Sequence, residues 1–368
     1  MQLVFWHNIL SPHQVPFMRA LAASGHDVTI VATEAMSADR LALGWVVPDT
    51  GRARVIIAPN DGEVGRLIAD GDKTAIHVIA GARWSRLGKL AAHLCVKSGR
   101  RIGMISESPD PRGILGCGRR AKYTMERFTS GSRFDFVLAM GEMGVKWFRS
   151  CWYAKERIVP FIYVTENVHV VERNELHGEH VSLFAGRFVS IKGLDILLRA
   201  FAIASQRQST LRLLGEGPEK ERLNQLVLNL GLQNRVCWLS KTVTSGVQKE
   251  MQNVDLTLLP SRKDGWGAVV NESLMVGTPV ICSTGCGAAE LIRQPWLGTV
   301  FSSGDVEDLS KVLKKWIDRG HQSQTERERI CRWSNCINGE SVAVYFAEIM
   351  EHIYGHAPRP VAPWRRQP

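Results

Sequence analysis

The sequence predicts an α/β protein made of two parallel-sheet units in tandem, and three observations lead to that reading. The 368 residues exceed what one ordinary core holds, since domains of roughly 100–200 residues are the norm. Short apolar runs alternate with longer stretches at helical spacing, the βαβ rhythm of a parallel sheet covered on both faces. The rhythm breaks once, over a polar interval from Thr165 to His180, and then restarts.

Taken in order, the strand candidates of the first half are 3–6 (LVFW), 28–32 (VTIVA), 75–80 (AIHVIA), 101–106 (RIGMIS) and 136–140 (FVLAM). Helical spacing is clearest over Val15–Ala23 and Arg83–Lys97. After the polar interval come 181–186 (VSLFAG), 211–215 (LRLLG), 236–239 (VCWL), 256–260 (LTLLP), 279–283 (PVICS) and 298–301 (GTVF). Ser341–Tyr354 reads as a helix, and the Pro- and Arg-rich tail after it as frayed. No fixed-period repeat is visible, which excludes a solenoid. His177 and His180 lack ligand partners at credible spacing and read as linker.

Composition narrows the class. A hydrophobic fraction of 45% with 22% charged residues and 15 prolines is that of a globular protein with a packed core. The net charge of +10 calls for an anionic partner. Between residues 83 and 133 there are twelve Lys or Arg against three acidic residues, so most of the excess lies in the first half. Eight scattered cysteines without paired CxxC sets read as reduced thiols, which predicts a cytoplasmic location. The start lacks a basic leader, and no apolar run is long enough to span a bilayer, so neither secretion nor membrane insertion is expected.

Two loops carry most of the chemistry. In FAGRFVSIKGLDILLRAFA (184–202) a strand ends at Gly186, and Arg187 and Lys192 precede an amphipathic helix. That arrangement puts two cations and a helix start at the carboxyl edge of a parallel sheet, a place suited to a diphosphate. Alone, the two cations read equally well as solvated loop charges. In LLPSRKDGWGAVVNESLMVGTPVICS (258–283) Asp264 and Glu272 flank a Gly-rich turn whose backbone at Gly265, Trp266, Gly267 and Ala268 approaches a ligand closely. Ionised carboxylates there accept hydrogen bonds from sugar hydroxyls. An isolated D-x7-E is more simply a helix-start acid and a surface charge.

Together these stretches, with LRLLGEGPEKERL and TGCGAAELI near Glu290, resemble the retaining glycosyltransferases of family 4 over about residues 181–316. The resemblance implies the GT-B fold, two Rossmann-like domains facing each other across a cleft. It places an acceptor-binding domain at 1–165, a nucleotide-sugar-binding domain at 166–340, and a helix and tail at 341–368 returning to the first. It implies that Arg187 and Lys192 neutralise the diphosphate, that Glu272 holds the ribose and that Asp264 touches the transferred sugar. The commonest pattern has Glu where Asp264 stands, so the carboxylate is drawn back by about 1.5 Å and the donor does not follow from the family. Departure of the nucleoside diphosphate would be stabilised by the two cations and backbone N–H groups, with no metal or other cofactor.

In the first half, His13 in SPHQVPF and Glu107 in SESPDPRG both follow strands. His13 is a candidate for contacting donor phosphate or acceptor, and Glu107 for orienting or deprotonating the acceptor hydroxyl. A structural His13 and a Glu107 merely paired with arginines are the plainer alternatives. The helix ARWSRLGKLAAHL sets Trp84, Leu87, Leu90 and Leu94 on one face between Arg83, Arg86 and Lys89, as an anionic membrane surface requires; a core-facing helix with a solvated rim has the same pattern. The expected function is transfer of a sugar from a nucleotide-sugar donor to a glycan or lipid-linked acceptor in surface polysaccharide synthesis, at the inner face of the membrane. A sugar-nucleotide epimerase and a basic nucleic-acid-binding protein are the alternatives. No nucleic-acid-binding module is evident, so nucleic acid is not the expected partner.

Overall fold

The computed structural model describes residues 1–42, 44–80, 85–129, 133–167, 178–204, 209–240 and 242–366. They separate into Met1–Glu166 with Cys336–Pro368, and Asn167–Asn335. The first division falls one residue after the expected boundary and the second five residues before it.

The first unit is a seven-stranded parallel sheet of β1 (Gln2–His7), β2 (Asp27–Ala32), β3 (Arg54–Ile57), β4 (Ile76–Ala80), β5 (Arg101–Ser106), β6 (Phe136–Met140) and β7 (Ile158–Phe161), in the order β3-β2-β1-β4-β5-β6-β7. The second is a six-stranded parallel sheet of β8 (His180–Ala185), β9 (Ser209–Leu214), β10 (Val236–Leu239), β11 (Leu256–Leu259), β12 (Val280–Ser283) and β13 (Gly298–Phe301), in the order β10-β9-β8-β11-β12-β13. Each sheet is Rossmann-like. The chain steps outward through three strands, returns to the other side of the first, and so reverses direction between β1 and β4 and between β8 and β11.

Strands covered by helices on both faces favour apolar residues at every position, which is why β6 reads as an unbroken run and is buried throughout, while β11, also buried throughout, carries one polar residue, Thr257. β3 and β7 were not legible as strands. Both lie at sheet edges; β3 is half-exposed, and β7 contains Pro160, which an edge position tolerates because no ladder donor is needed there. His180 is the first residue of β8, buried rather than in a linker, and burial lowers its pKa. His177 lies outside the described residues.

The helix Arg86–Lys97 starts at Ser85, whose hydroxyl caps Gly88 N–H at 3.1 Å. It buries Leu87, Gly88, Ala91 and Cys95 in the core, with Leu90 and Leu94 packed beside them. The face proposed above for a membrane is therefore occupied by the core of the unit, and Arg83 and Trp84 lie outside the described residues. The C-terminal helix Gly339–Gly355 belongs to the first unit: the Phe346 ring sits 5.7 Å from Phe5 and 5.9 Å from Phe17. The tail beyond it is seated, not frayed, through Arg366. Trp364 is buried with its ring 5.4 Å from Tyr345, and Arg365 pairs with Glu142 at 2.9 Å. Among the described residues no helix is long and apolar enough to cross a membrane.

Candidate functional site

Because the second sheet reverses direction between β8 and β11, the segments leaving those two strands must lie side by side at its carboxyl edge. They are the two loops with chemical content. After β8, Phe188 is buried, Ser190–Lys192 forms a 3-10 turn, and Gly193 turns left-handed with φ of 69°. A Cβ on Gly193 would lie 2.3 Å from the Pro260 carbonyl oxygen, so only glycine lets the first loop press against the second. The GEGP segment supports the first loop from the other side. A Cβ on Gly215 would lie 2.0 Å from the Gly186 carbonyl oxygen, and Phe188 N–H donates to the Glu216 carbonyl at 2.7 Å.

The outcome is a direct contact between residues 72 positions apart. Lys192 Nζ lies 2.5 Å from Asp264 Oδ2, with both side chains largely covered. Asp264 is held by its backbone, which donates to the Gly285 carbonyl at 2.9 Å and accepts from Gly287 N–H at 3.3 Å. Arg187 is exposed, and its guanidinium makes no hydrogen bond or ion pair among the described residues. A fixed cation and a free one thus stand on the same loop.

Glu272 sits in the first turn of the helix Val269–Met275 and is 8% exposed. Burial pushes its carboxyl up to about 7. Its carboxyl accepts no hydrogen bond among the described residues. A buried carboxylate in that condition calls for donors from outside the protein. Gly265 and Ala268 are half-exposed and available to a ligand through their backbones, whereas Gly267 is buried with φ of 98°. Trp266 is 1% exposed and its indole N–H donates to Asn271 Oδ1 at 2.8 Å, so its side chain braces the loop whose backbone is expected to meet a ligand. Among the described residues no cluster of three or more His, Cys, Asp or Glu is arranged to hold a metal.

Sequence reasoning missed the clamp that sets this geometry. Arg262 forks onto Asp195 at 2.8 and 2.7 Å, donates to the Ser190 carbonyl at 2.8 Å, and its own N–H reaches the Ile191 carbonyl at 2.8 Å. One residue of the second loop thereby grips both ends of the turn bearing Lys192. The Arg262 guanidinium holds Asp195 below the usual carboxylate range. Arg262→Ala should cost roughly 1–2 kcal/mol, discounted for its partial exposure. The same change should weaken binding of an anionic ligand at Lys192. Arg262→Lys keeps the charge but not the fork and should restore only part of both, as thermal melts and ligand titrations would show.

In the first unit, Tyr163 joins the two residues singled out from sequence. Its hydroxyl donates to Glu107 Oε1 at 2.6 Å, and its ring lies 6.1 Å from that of His13. His13 also meets Trp45 edge-on at 4.8 Å. His13 and Glu107 follow β1 and β5, on either side of β4, so both belong to the carboxyl edge of the first sheet, His13 at the reversal point and Glu107 one strand beyond it. Nothing in the pattern around Tyr163, beyond β7, marked it in advance.

Residues 169–331 match the family model of the glycosyl transferases group 1. Both loops of the site lie inside that group 1 segment. Among curated relatives, D-inositol 3-phosphate glycosyltransferase of Rhodococcus jostii is 28% identical over 201 residues, covering 51% of this chain and 44% of its own length. The lipopolysaccharide core biosynthesis glycosyltransferase LpsE of Rhizobium meliloti is 28% identical over 198 residues, 49% of this chain and 56% of its own. The chain thus spans about half the length of the curated relatives it matches. Among solved structures, Anabaena HepE in complex with UDP superposes with a TM-score of 0.71 at 15% identity, over 96% of this chain and 100% of that one. The lipopolysaccharide outer core galactosyltransferase WaaB superposes with a TM-score of 0.70 at 15% identity, over 97% and 100%. These likenesses show the fold, two Rossmann-like units of the GT-B class.

Proposed function

We infer that the protein is a retaining glycosyltransferase of family 4 type that moves a sugar from a nucleotide-sugar donor to a glycan or lipid-linked acceptor in surface polysaccharide synthesis. One observation carries the reading: within the group 1 segment, two cations, Arg187 and Lys192, stand on the loop that touches Asp264, and Glu272, whose carboxyl accepts no hydrogen bond among the described residues, follows eight residues later. HepE is named in complex with UDP, LpsE is named for lipopolysaccharide core biosynthesis, and WaaB is named a lipopolysaccharide outer core galactosyltransferase.

On this reading the ribose hydroxyls donate to Glu272, which gains the partners the free protein denies it. The diphosphate meets Arg187 and draws Lys192 away from Asp264, so that Asp264 turns to a hydroxyl of the sugar. As the anomeric C–O bond breaks, charge grows on the leaving diphosphate, and the two cations with the N–H groups at Gly265 and Ala268 stabilise it without a metal. Glu107, oriented by Tyr163, accepts the proton of the acceptor hydroxyl, and the His13 ring lies against that of Tyr163.

A panel of UDP-, GDP- and ADP-sugars tests the reading by thermal stabilisation, because a ligand of the folded state alone raises stability by mass action. One nucleotide class should stabilise the protein, with chelator present or absent, and acceptor extracts should then convert that donor into a glycosylated product with unchanged anomeric configuration. Stabilisation by none of the sugars, or conversion of the donor without any acceptor, would overturn it.

A further inference from the structure

The helix Gly113–Thr129 carries an apolar stripe that is largely exposed among the described residues. Four of the five most exposed large apolar side chains among the described residues lie on it: Ile114 at 92%, Leu115 at 72%, Phe128 at 71% and Met125 at 69%. Ile114, Ala121, Met125 and Phe128 follow one another at 3.6-residue spacing, so they form one line along the outer face. The opposite face is the anchored one. Tyr123 packs edge-on to Trp147 at 5.3 Å, and a Cβ on Gly116 would lie 2.1 Å from the Pro111 carbonyl oxygen. Single exposed apolar residues need no explanation, but a line of them on one helix does.

The charge around that line says what it meets. Arg112, Arg119, Arg120, Lys122 and Arg127 outnumber Asp110 and Glu126, and Arg119, Arg120 and Lys122 are exposed. Lys122 lies on one flank of the stripe and Arg120 on the other, each with a stem long enough to follow the apolar surface and keep its charge at its rim. A second protein copy of net charge +10 would repel such a surface. We propose that the helix Gly113–Thr129 lies in the plane of an anionic lipid leaflet, with Ile114, Leu115, Met125 and Phe128 in the acyl boundary and the flanking cations among the headgroups. The helix begins six residues after Glu107, on the segment leaving β5. A lipid-linked acceptor would therefore reach the Glu107–Tyr163 pair from the leaflet. That consequence rests on the transferase reading; the docking itself does not.

The test is co-sedimentation of the full chain with phosphatidylcholine vesicles and with mixed phosphatidylcholine–phosphatidylglycerol vesicles. Binding should need the anionic lipid and fall as salt rises. Reversing Arg120 and Lys122 together, R120E with K122E, should weaken it at least about 25-fold, since each cation near such a surface contributes roughly a factor of five. Ile114→Ser with Phe128→Ser should abolish binding even at low salt. Sugar-nucleotide stabilisation measured on the same variants should be unchanged, which reports an intact fold and keeps a failure of docking distinct from a failure of the donor reading. Equal binding to neutral vesicles, insensitivity to either variant pair, or a concentration-dependent dimer broken by the Ile114 change with no vesicle binding would overturn the proposal.

Discussion

Glu272→Gln should raise thermal stability at pH 8 while weakening donor binding at the same pH. The carboxyl titrates at about 7 in the folded protein against an ordinary value of 4.5, so the folded state holds its proton more tightly than the unfolded state. Stability therefore falls as pH rises from 4.5 to 7 and levels off above, where a buried charge without hydrogen-bond partners among the described residues is being tolerated. The gap corresponds to about 3 kcal/mol at full ionisation. Glutamine keeps the shape and removes the charge, so the variant should exceed the parent by an amount of that order at pH 8, shrinking to nothing near pH 4.5. Taking the difference between the two proteins cancels the buried His7 and His77, which burial pushes down to about 4 and which destabilise both equally on acidification. Calorimetric titration with the stabilising nucleotide should show at least a tenfold loss of affinity, as expected for hydrogen bonds to a charged acceptor. A stability difference that does not change with pH, or an unchanged affinity, contradicts the role given to Glu272.

Lys192→Ala and Arg187→Ala should each lower the rate of transfer by roughly a hundredfold or more, because charge develops on the leaving diphosphate chiefly in the transition state. The two should differ in their secondary effects. Arg187 is exposed, so its removal should leave the melting temperature unchanged. Loss of Lys192 leaves Asp264, largely covered and held by its backbone, without the partner 2.5 Å away, and should destabilise the free protein as well. Steady-state kinetics with saturating donor separate the chemical role from simple binding: a change in KM with turnover intact would remove the two cations from the reaction itself.

The sequence and the tertiary structure divided the information along physical lines. Most strands are mainly apolar, and so β1, β2, β4 to β6 and all six strands of the second unit were readable, the edge strands β10 and β13 included; β3 is short and half-exposed and β7 is interrupted by Pro160, and neither stood out. Lys192, Asp264 and Glu272 stood out because loop chemistry clusters along the chain near strand ends. The Arg262–Asp195 clamp and the Tyr163–Glu107 bond did not, since partners 67 and 56 residues apart leave no local pattern.

Charge and amphipathicity pointed to a basic surface in the first half, yet they selected Arg83–Lys97, whose apolar face is spent on the core, over Gly113–Thr129, whose apolar line is left outside. Both segments carry apolar residues at helical spacing among cations, and spacing repeats identically whether a face is covered or bare. Residue order alone therefore determined the two α/β units, the loop bearing Arg187 and Lys192, and the spacing of Asp264 and Glu272. Which cation is already engaged, which acid lacks partners and which helix faces outward were decided only when distant segments packed, because coverage belongs to the neighbours a side chain acquires and not to the side chain.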